Sequence, residues 1–467
     1  MFDLKITSDQ VVTPAGVGAY DIYVEGERIA ALCPAGTEGP SAEQTVDATG
    51  LVVAPGGVEP HCHVSMDIPQ VPGLVAQGPQ GASRACIFGG TTTVIDFAAI
   101  SETVSPLEAV DAKHEEWEGD SYADYGFRCS LIREPSDSQL EEVKTLISTR
   151  GVPSFKVYMT GPKRASDGLI FHLLKTLREL GGILMVHAEN DDLVKHNMAL
   201  HKAKGRTDFK YLPDVHDTAV EVLAIQQICE MVAMTGGAVY FAHVTSGDGM
   251  HAIMAARGRG LPVYGEALHN YLGFDRSNYD EPDGVKYHTF PSLRTGADRE
   301  ALWNAVNTGP LSAVATDDVT TTYEVKTRFR KIFDARGGHS GLDTRLPFVF
   351  SEGVSKGEMS LERFVDVTSS NPAKIFGLYP RKGAIAPGSD ADLVLIDPDA
   401  TRHYNKSHVR SDTDYSIWEG WEFKGWPQSV YLRGRLAMRG DELLVELGAG
   451  QFVPGQISPA LLKRPTC

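Results

Sequence analysis

A (β/α)8 barrel of the TIM type, carrying a small β-sandwich domain built from both chain ends, is the fold this 467-residue sequence predicts. Three observations predict it. Between residues 55 and 375, short apolar runs of strand-forming residues alternate with helical stretches, the pattern of a parallel sheet. Those runs number eight, the count that closes a barrel. The two ends are instead short strands and turns, too few on either side to make a sandwich alone.

In chain order, residues 1–54 are expected to form the first part of the β domain. Within 21–29, strand residues flank Glu25-Gly26-Glu27, which reads as a hairpin turn. The apolar run 51–57 reads as one buried strand preceded by a turn, closed by Val58-Glu59-Pro60-His61-Cys62-His63. Barrel strands are expected at 58–61, 92–97, 126–132, 154–159, 183–187, 238–243, 262–265 and 311–316. Helical patterns lie between them, as at 169–180 and 218–234. A doubly wound open sheet is the alternative, and the missing Gly-rich phosphate turn after the first strand counts against it. Residues 376–440 return to the β style at 391–397 and 430–435, so the two ends are expected to pair. Residues 441–467, including Gly448-Ala449-Gly450-Gln451-Phe452, read as an extended arm that either packs on the surface or contacts another subunit.

Composition narrows the partners. Apolar residues make up 42% and charged residues 22%, ordinary for a globular chain. The 61 Asp+Glu outweigh 44 Lys+Arg for a formal charge of −17, which argues against nucleic acid and against anionic lipid. Cys33, Cys62, Cys86, Cys129, Cys229 and Cys467 are scattered, as expected of reduced thiols. There is no basic segment followed by an apolar core at the start, and no uninterrupted apolar run long enough to cross a bilayer. A cytoplasmic protein without a membrane partner is expected.

The chemistry is carried by donors at regular intervals. His61 and His63 alternate along an extended chain, so both point the same way and can grip one cation. A lone His-x-His is more often a hydrogen-bonded pair than a metal site. Barrel enzymes, however, place their chemistry where the strands end, and one βα unit spans roughly 31 residues. The steps His63 to Lys156, Lys156 to His187, His187 to His243 and His243 to Asp317 are 93, 31, 56 and 74 residues. All six residues can therefore reach one mouth of one barrel. Neutral imidazoles with a carboxylate suit a divalent transition metal such as zinc. Lysine, a cation with a pKa of about 10.4, reads alone as a buried ion pair. After reaction with carbon dioxide it becomes a carbamate, an anion able to bridge two metals.

Several segments carry a family resemblance. Gly56-Gly57-Val58-Glu59-Pro60-His61-Cys62-His63, Gly89-Gly90-Thr91-Thr92-Thr93-Val94-Ile95-Asp96-Phe97 and Ser154-Phe155-Lys156-Val157-Tyr158-Met159 are the first. Val186-His187-Ala188-Glu189-Asn190, Ala242-His243-Val244-Thr245-Ser246, Ala315-Thr316-Asp317 and Gly388-Ser389-Asp390-Ala391-Asp392 continue the series. In order and over nearly the whole chain they resemble the dihydropyrimidinase/D-hydantoinase branch of the amidohydrolases. The resemblance implies two divalent metals, zinc or manganese. His61, His63 and Asp317 would hold one, His187 and His243 the other, and Lys156 would bridge them as N6-carboxylysine. It further implies that a metal-bridging hydroxide attacks the ring amide carbon, with Asp317 moving the proton to the leaving nitrogen. A homotetramer is implied as well.

Three departures bear on the substrate. Five residues after the lysine the family carries a tyrosine; here that position is Gly161. Tyr158 is the candidate replacement, although a strand tyrosine is more often core. The family segment Ser-Pro-Pro-Leu-Arg reads Phe290-Pro291-Ser292-Leu293-Arg294, making Phe290 and Ser292 further candidate substrate contacts. Asp318 stands where the family has a histidine. The expected reaction is hydrolysis of a cyclic amide other than plain dihydrouracil or hydantoin, such as an imide or lactam. Alternatives are an allantoinase-like cyclic ureide hydrolase, a non-catalytic dihydropyrimidinase-related scaffold, or a mononuclear deaminase that leaves Lys156 unmodified. A dihydroorotase would carry an arginine two residues after the second histidine, where Ser65 stands.

Overall fold

Eight parallel strands pair in strict chain order in the computed structural model, which describes residues 1–101, 103–132 and 135–467. Five strands precede them: β1 (Phe2–Thr13), β2 (Gly16–Glu25), β3 (Arg28–Pro34), β4 (Ala42–Asp47) and β5 (Val52–Pro55). The barrel strands are β6 (Gly57–Glu59), β7 (Thr91–Ala99), β8 (Asp124–Ser130), β9 (Ser154–Tyr158), β10 (Ile183–His187), β11 (Val239–Phe241), β12 (Val263–Leu268) and β13 (Ala313–Ala315). Four more follow: β14 (Leu393–His403), β15 (Glu422–Leu432), β16 (Arg435–Arg439) and β17 (Glu442–Leu443). Each barrel strand overlaps a run expected from the sequence. The strands are apolar on both faces because helices cover the outside while side chains fill the inside. Those helices begin at polar caps such as Ser166, Asp217 and Ser246, which accept from the first turn's N–H groups.

The run 51–57 differs from its expected form. It is two strands in two sheets. β5 pairs antiparallel with β14, while β6 pairs parallel with β7. The chain changes sheets at Gly56, whose N–H donates to the Asp392 carbonyl at 2.9 Å. A Cβ there would overlap the Thr92 side chain, so the crossing requires glycine. Both strands are wholly buried, which hides the break from any periodicity.

The end strands form one hydrogen-bonded path, β17-β16-β15-β14-β5-β1-β2-β3, with β4 also on β1. β1 pairs with β4 through its first half and with β5 through Gln10 and Val11, so one long strand serves two neighbours on the same edge. Its core mixes both chain ends, with Ile6, Val11, Ile22 and Val53 against Leu393, Leu395 and Tyr431. The β2–β3 hairpin turns at Gly26, as the sequence indicates.

Two contacts lock the ends to the barrel. Lys382 Nζ lies 2.5 Å from Asp124, 2.8 Å from Asp390 and 2.6 Å from Asp392, all buried, and Arg433 also pairs with Asp124. The arm also packs on its own barrel. The Tyr125 N–H donates to Gln451 at 3.0 Å, and Phe452 stacks on Phe127 with ring centroids 5.3 Å apart. Farther on, Ile457, Leu461 and Leu462 plug the end where the barrel strands begin, against Val58, Ile183 and Tyr264. The helix Thr218–Thr235 is long and apolar enough to cross a membrane by length and composition, yet Val220, Ala224, Ile228 and Val232 bury it in the barrel's outer layer. All six cysteines are unpaired.

Candidate metal centre

β6 and β13, the first and last barrel strands, meet just beyond their ends rather than along them. Asp317 N–H donates to His61 O at 2.8 Å, and His63 N–H donates to Asp318 O at 2.8 Å. Cys62 bridges Asp318 between them, so the strand alternation carries on past β6 and turns His61 and His63 to one side. Lys156 lies within β9 and His187 ends β10. His243 and Asp317 follow β11 and β13 with φ of +36° and +49°. Non-glycine residues held in that left-handed region are costly and cluster at functional sites. All six donors thus sit at the mouth where the strands end.

The geometry is tight. Asp317 Oδ1 is 3.0 Å from His61 Nε2 and 3.1 Å from His63 Nε2, and the three donors lie within 4.8 Å of one another. Lys156 Nζ is 3.4 Å from His61 Nε2. The His243 ring is 5.6 Å from that of His61 and 4.5 Å, edge-on, from that of His187.

Buried carboxylates hold this layer from behind. Glu266 bonds His61 Nδ1, and also accepts from Tyr240 Oη at 2.6 Å and from the His243 N–H at 3.1 Å. Glu189 bonds His187 Nε2 at 2.7 Å and His216 Nδ1 at 2.8 Å. Glu59 accepts from the N–H groups of His61 at 2.9 Å and Thr316 at 3.2 Å, and pairs with Arg345 at 3.0 Å. Committing one ring nitrogen in this way aims the other at the site. The sequence reading did not assign these acids. Glu59 and Glu189 each stand two residues from a donor histidine, a signal that was present. Glu266 lies within the wholly buried strand β12, the kind of place where an acid needs a reason.

Electrostatics follow from burial. His63 is pulled down to about 4 by burial, against the pull of Asp317. Burial also takes His243 well below its ordinary value, with His187 and Lys156 adding to the effect. Burial lowers the Lys156 ammonium to about 8, Asp317 and Glu266 opposing and Arg128 assisting. Burial raises Asp317, but His61 and His63 outweigh it and hold the carboxyl well below its usual range. His61 is lowered by burial and raised more by Asp317 and Glu266. A ring between two carboxylates calls for positive charge on it or beside it. Imidazoles of which His63 and His243 are disfavoured as cations, an ionised carboxylate and a lysine whose charge is disfavoured fit divalent metal ions and a carbamate at Lys156. A second acidic group, Asp124, Asp390 and Asp392, already holds its cation in Lys382.

A cavity of about 220 Å³ opens above the donors. His63, Lys156, His187, His243 and Asp317 line it, while His61 lies beneath, fully buried. Tyr158 and Phe290 line its walls. Ser292 is fully buried and does not line it. Gly161 turns the loop after β9 at φ +78°, its N–H donating to Asp191 at 3.0 Å. It contributes no side chain; Lys163, two residues on, lines the cavity instead. Asp318 faces away, accepting from Gln77 at 3.1 Å, Thr320 at 2.7 Å and Gly341 at 2.8 Å, with burial raising it to about 7. Gln70, Lys163 and Arg336 also line the cavity, and their loops offered no periodicity from which to find them.

Comparison with known proteins places these features in context. The pattern of the amidohydrolase family matches residues 52–437. The chain is 34% identical over 457 residues to a D-hydantoinase of Geobacillus stearothermophilus, covering 96% of this chain and 95% of that one. The crystal structure of a dihydropyrimidinase from Brevibacillus agri superposes with a TM-score of 0.92 at 33% identity, over 97% of this chain and 99% of that one. A D-hydantoinase from Bacillus sp. AR9 gives a TM-score of 0.92 at 34% identity, over 98% and 100%.

Proposed function

The chain belongs to the amidohydrolase family and is a cyclic amidohydrolase, and from that premise we propose that it opens a dihydropyrimidine-, hydantoin-, imide- or lactam-type ring at its amide bond. His61, His63 and Asp317 would hold one divalent ion and His187 and His243 a second, with carboxylated Lys156 between them. The observation that carries this reading is one Asp317 oxygen 3.0 Å from His61 and 3.1 Å from His63, on the floor of the cavity.

Divalent ions bound there, zinc or manganese, would supply Lewis acidity for the ring carbonyl and make water nucleophilic near neutral pH. The Asp317 carboxylate takes the proton from the attacking water and delivers it to the ring nitrogen as the C–N bond breaks. Its depressed pKa keeps it ionised and able to accept. Glu266 and Glu189 hold the rings of His61 and His187 in place, so little reorganisation is needed during reaction. Phe290 and Tyr158 orient the ring and exclude water. The proposal includes a barrel unit at 55–375, a β unit from 1–54 and 376–440 and an arm at 441–467. A homotetramer in the cytoplasm, consistent with the unpaired cysteines, is also part of it.

The test is a screen of cyclic ureides, imides and lactams for ring opening by protein reconstituted with zinc or manganese and bicarbonate, with metal content measured in parallel. About two metal equivalents with turnover on at least one ring supports the reading. A protein loaded with two equivalents that opens none of them overturns it, and a protein that takes up no metal favours the scaffold alternative.

A further inference from the structure

We propose that the ring opened by this enzyme carries a carboxylate and that Arg336 receives it, an inference that rests on the cyclic-amide reading above. Arg336 lines the same cavity as Asp317 and Phe290, yet it is only 3% exposed. Its buried Nε and Nη2 have no hydrogen-bond partner among the described residues, and no carboxylate there forms an ion pair with it. Burial lowers this guanidinium to about 10, opposed by the Tyr415 phenol.

The surroundings sharpen the point. A second buried basic side chain, Lys326, donates to the carbonyls of His288 at 2.5 Å and Arg336 at 2.8 Å, and burial, with Arg336 adding to it, takes its ammonium well below the ordinary lysine value. It has no acidic partner among the described residues either. Lys163 also lines the cavity; burial lowers its ammonium, and exposed Asp67 opposes the shift. In a chain with a formal charge of −17, Lys163 and Arg336 both line the cavity, and the buried Arg336 has no counter-ion among the described residues. Buried charges are normally paired because an unpaired one is costly. A ring carbonyl would satisfy one hydrogen bond of the guanidinium but not its charge. A carboxylate supplies both an acceptor and the counter-charge. With the scissile amide at Asp317, Arg336 takes a carboxylate on the ring or on a short arm from it.

The experiment compares matched substrates on zinc- and bicarbonate-loaded enzyme: hydantoin against hydantoin-5-acetate, and dihydrouracil against dihydroorotate. The native enzyme is expected to favour the acid of at least one pair by about tenfold or more in kcat/KM, the range of a charge-assisted bond. Arg336→Gln should shrink that ratio by about tenfold, chiefly through KM, and Arg336→Lys should keep part of it. Calorimetric binding of the preferred acid to metal-free protein should weaken about tenfold in Arg336→Gln. Lys163→Ala, on an exposed loop and safe for folding, should lower the acid preference roughly threefold. If Arg336→Gln does not fold, Arg336→Lys and Lys163→Ala decide. Turnover of the neutral rings with no preference for the acids, or a preference indifferent to these substitutions, overturns the inference and leaves the hydrolase reading standing. Failure to open any ring removes both.

Discussion

The N–H of Asp317 donates to the carbonyl of His61 at 2.8 Å, so the bond that joins the last barrel strand to the first also joins two of the site's donors. Closure and site assembly are one event. A change that loosened the seam between β6 and β13 would move Asp317 relative to His61 and His63 before it unfolded anything else. Glu59 reinforces the seam by accepting from both sides, at His61 and Thr316.

Replacing Glu266 with Gln tests the layer behind the donors. The amide retains the shape but loses the charge that holds His61. Metal affinity should fall about 10- to 100-fold, measured by competition with a chromogenic chelator. Unchanged affinity would show that the His61 ring is held by packing alone.

Asp317→Asn removes the proton acceptor. A loss of about 10²- to 10⁴-fold in kcat is expected from general acid–base catalysis. Single-turnover rates should be normalised to the metal actually bound, since Asp317 is also a proposed ligand. A normalised rate within a few-fold of the native value would assign the proton transfer elsewhere.

The lowered Lys156 pKa gives a pH dependence with a definite sign. Only the neutral amine reacts with carbon dioxide. Above about 8 the amine is mainly neutral, and below that it is mainly ammonium. At fixed dissolved carbon dioxide, reactivation of metal-free protein should speed up about tenfold per pH unit below that value and level off above it. A rate still climbing toward the ordinary lysine range would mean that burial does not lower this group, and Lys156→Gln should show no bicarbonate response.

Lys382→Met should be among the most destabilising single changes. It strands Asp124, Asp390 and Asp392 without their shared buried cation. Breaking such a cluster costs about 3–5 kcal/mol, readable as a shift in the urea midpoint. Because Asp124 belongs to the barrel and the other two to the end strands, limited proteolysis between residues 376 and 392 should accelerate as well. A midpoint unchanged from the native protein would mean the three acids find other partners.

Much of this molecule can be read without coordinates. Apolar runs such as those at β7 and β10 announce buried strands because both faces are covered, and their spacing sets the barrel count. His61, His63, His187, His243 and Asp317 stand at or just past strand ends and Lys156 lies within β9, so chain distance translates into position around the mouth. The run 51–57 was opaque for a physical reason: β5 and β6 are equally buried, and only Gly56 separates a strand of one sheet from a strand of the other. Arg336 and Lys163 were opaque because loops have no period.

The sequence by itself determined the fold class and the participation of both ends in one β unit, and it singled out six candidate donors, because each depends on repeating patterns along the chain. Tertiary structure alone decided which acids stand behind the histidines, that Ser292 lies outside the cavity while Lys163 and Arg336 line it, and that the arm plugs its own barrel. Those outcomes turn on how side chains far apart in sequence pack and on which nitrogen of a ring a carboxylate reaches. Distance along the chain carries no record of either.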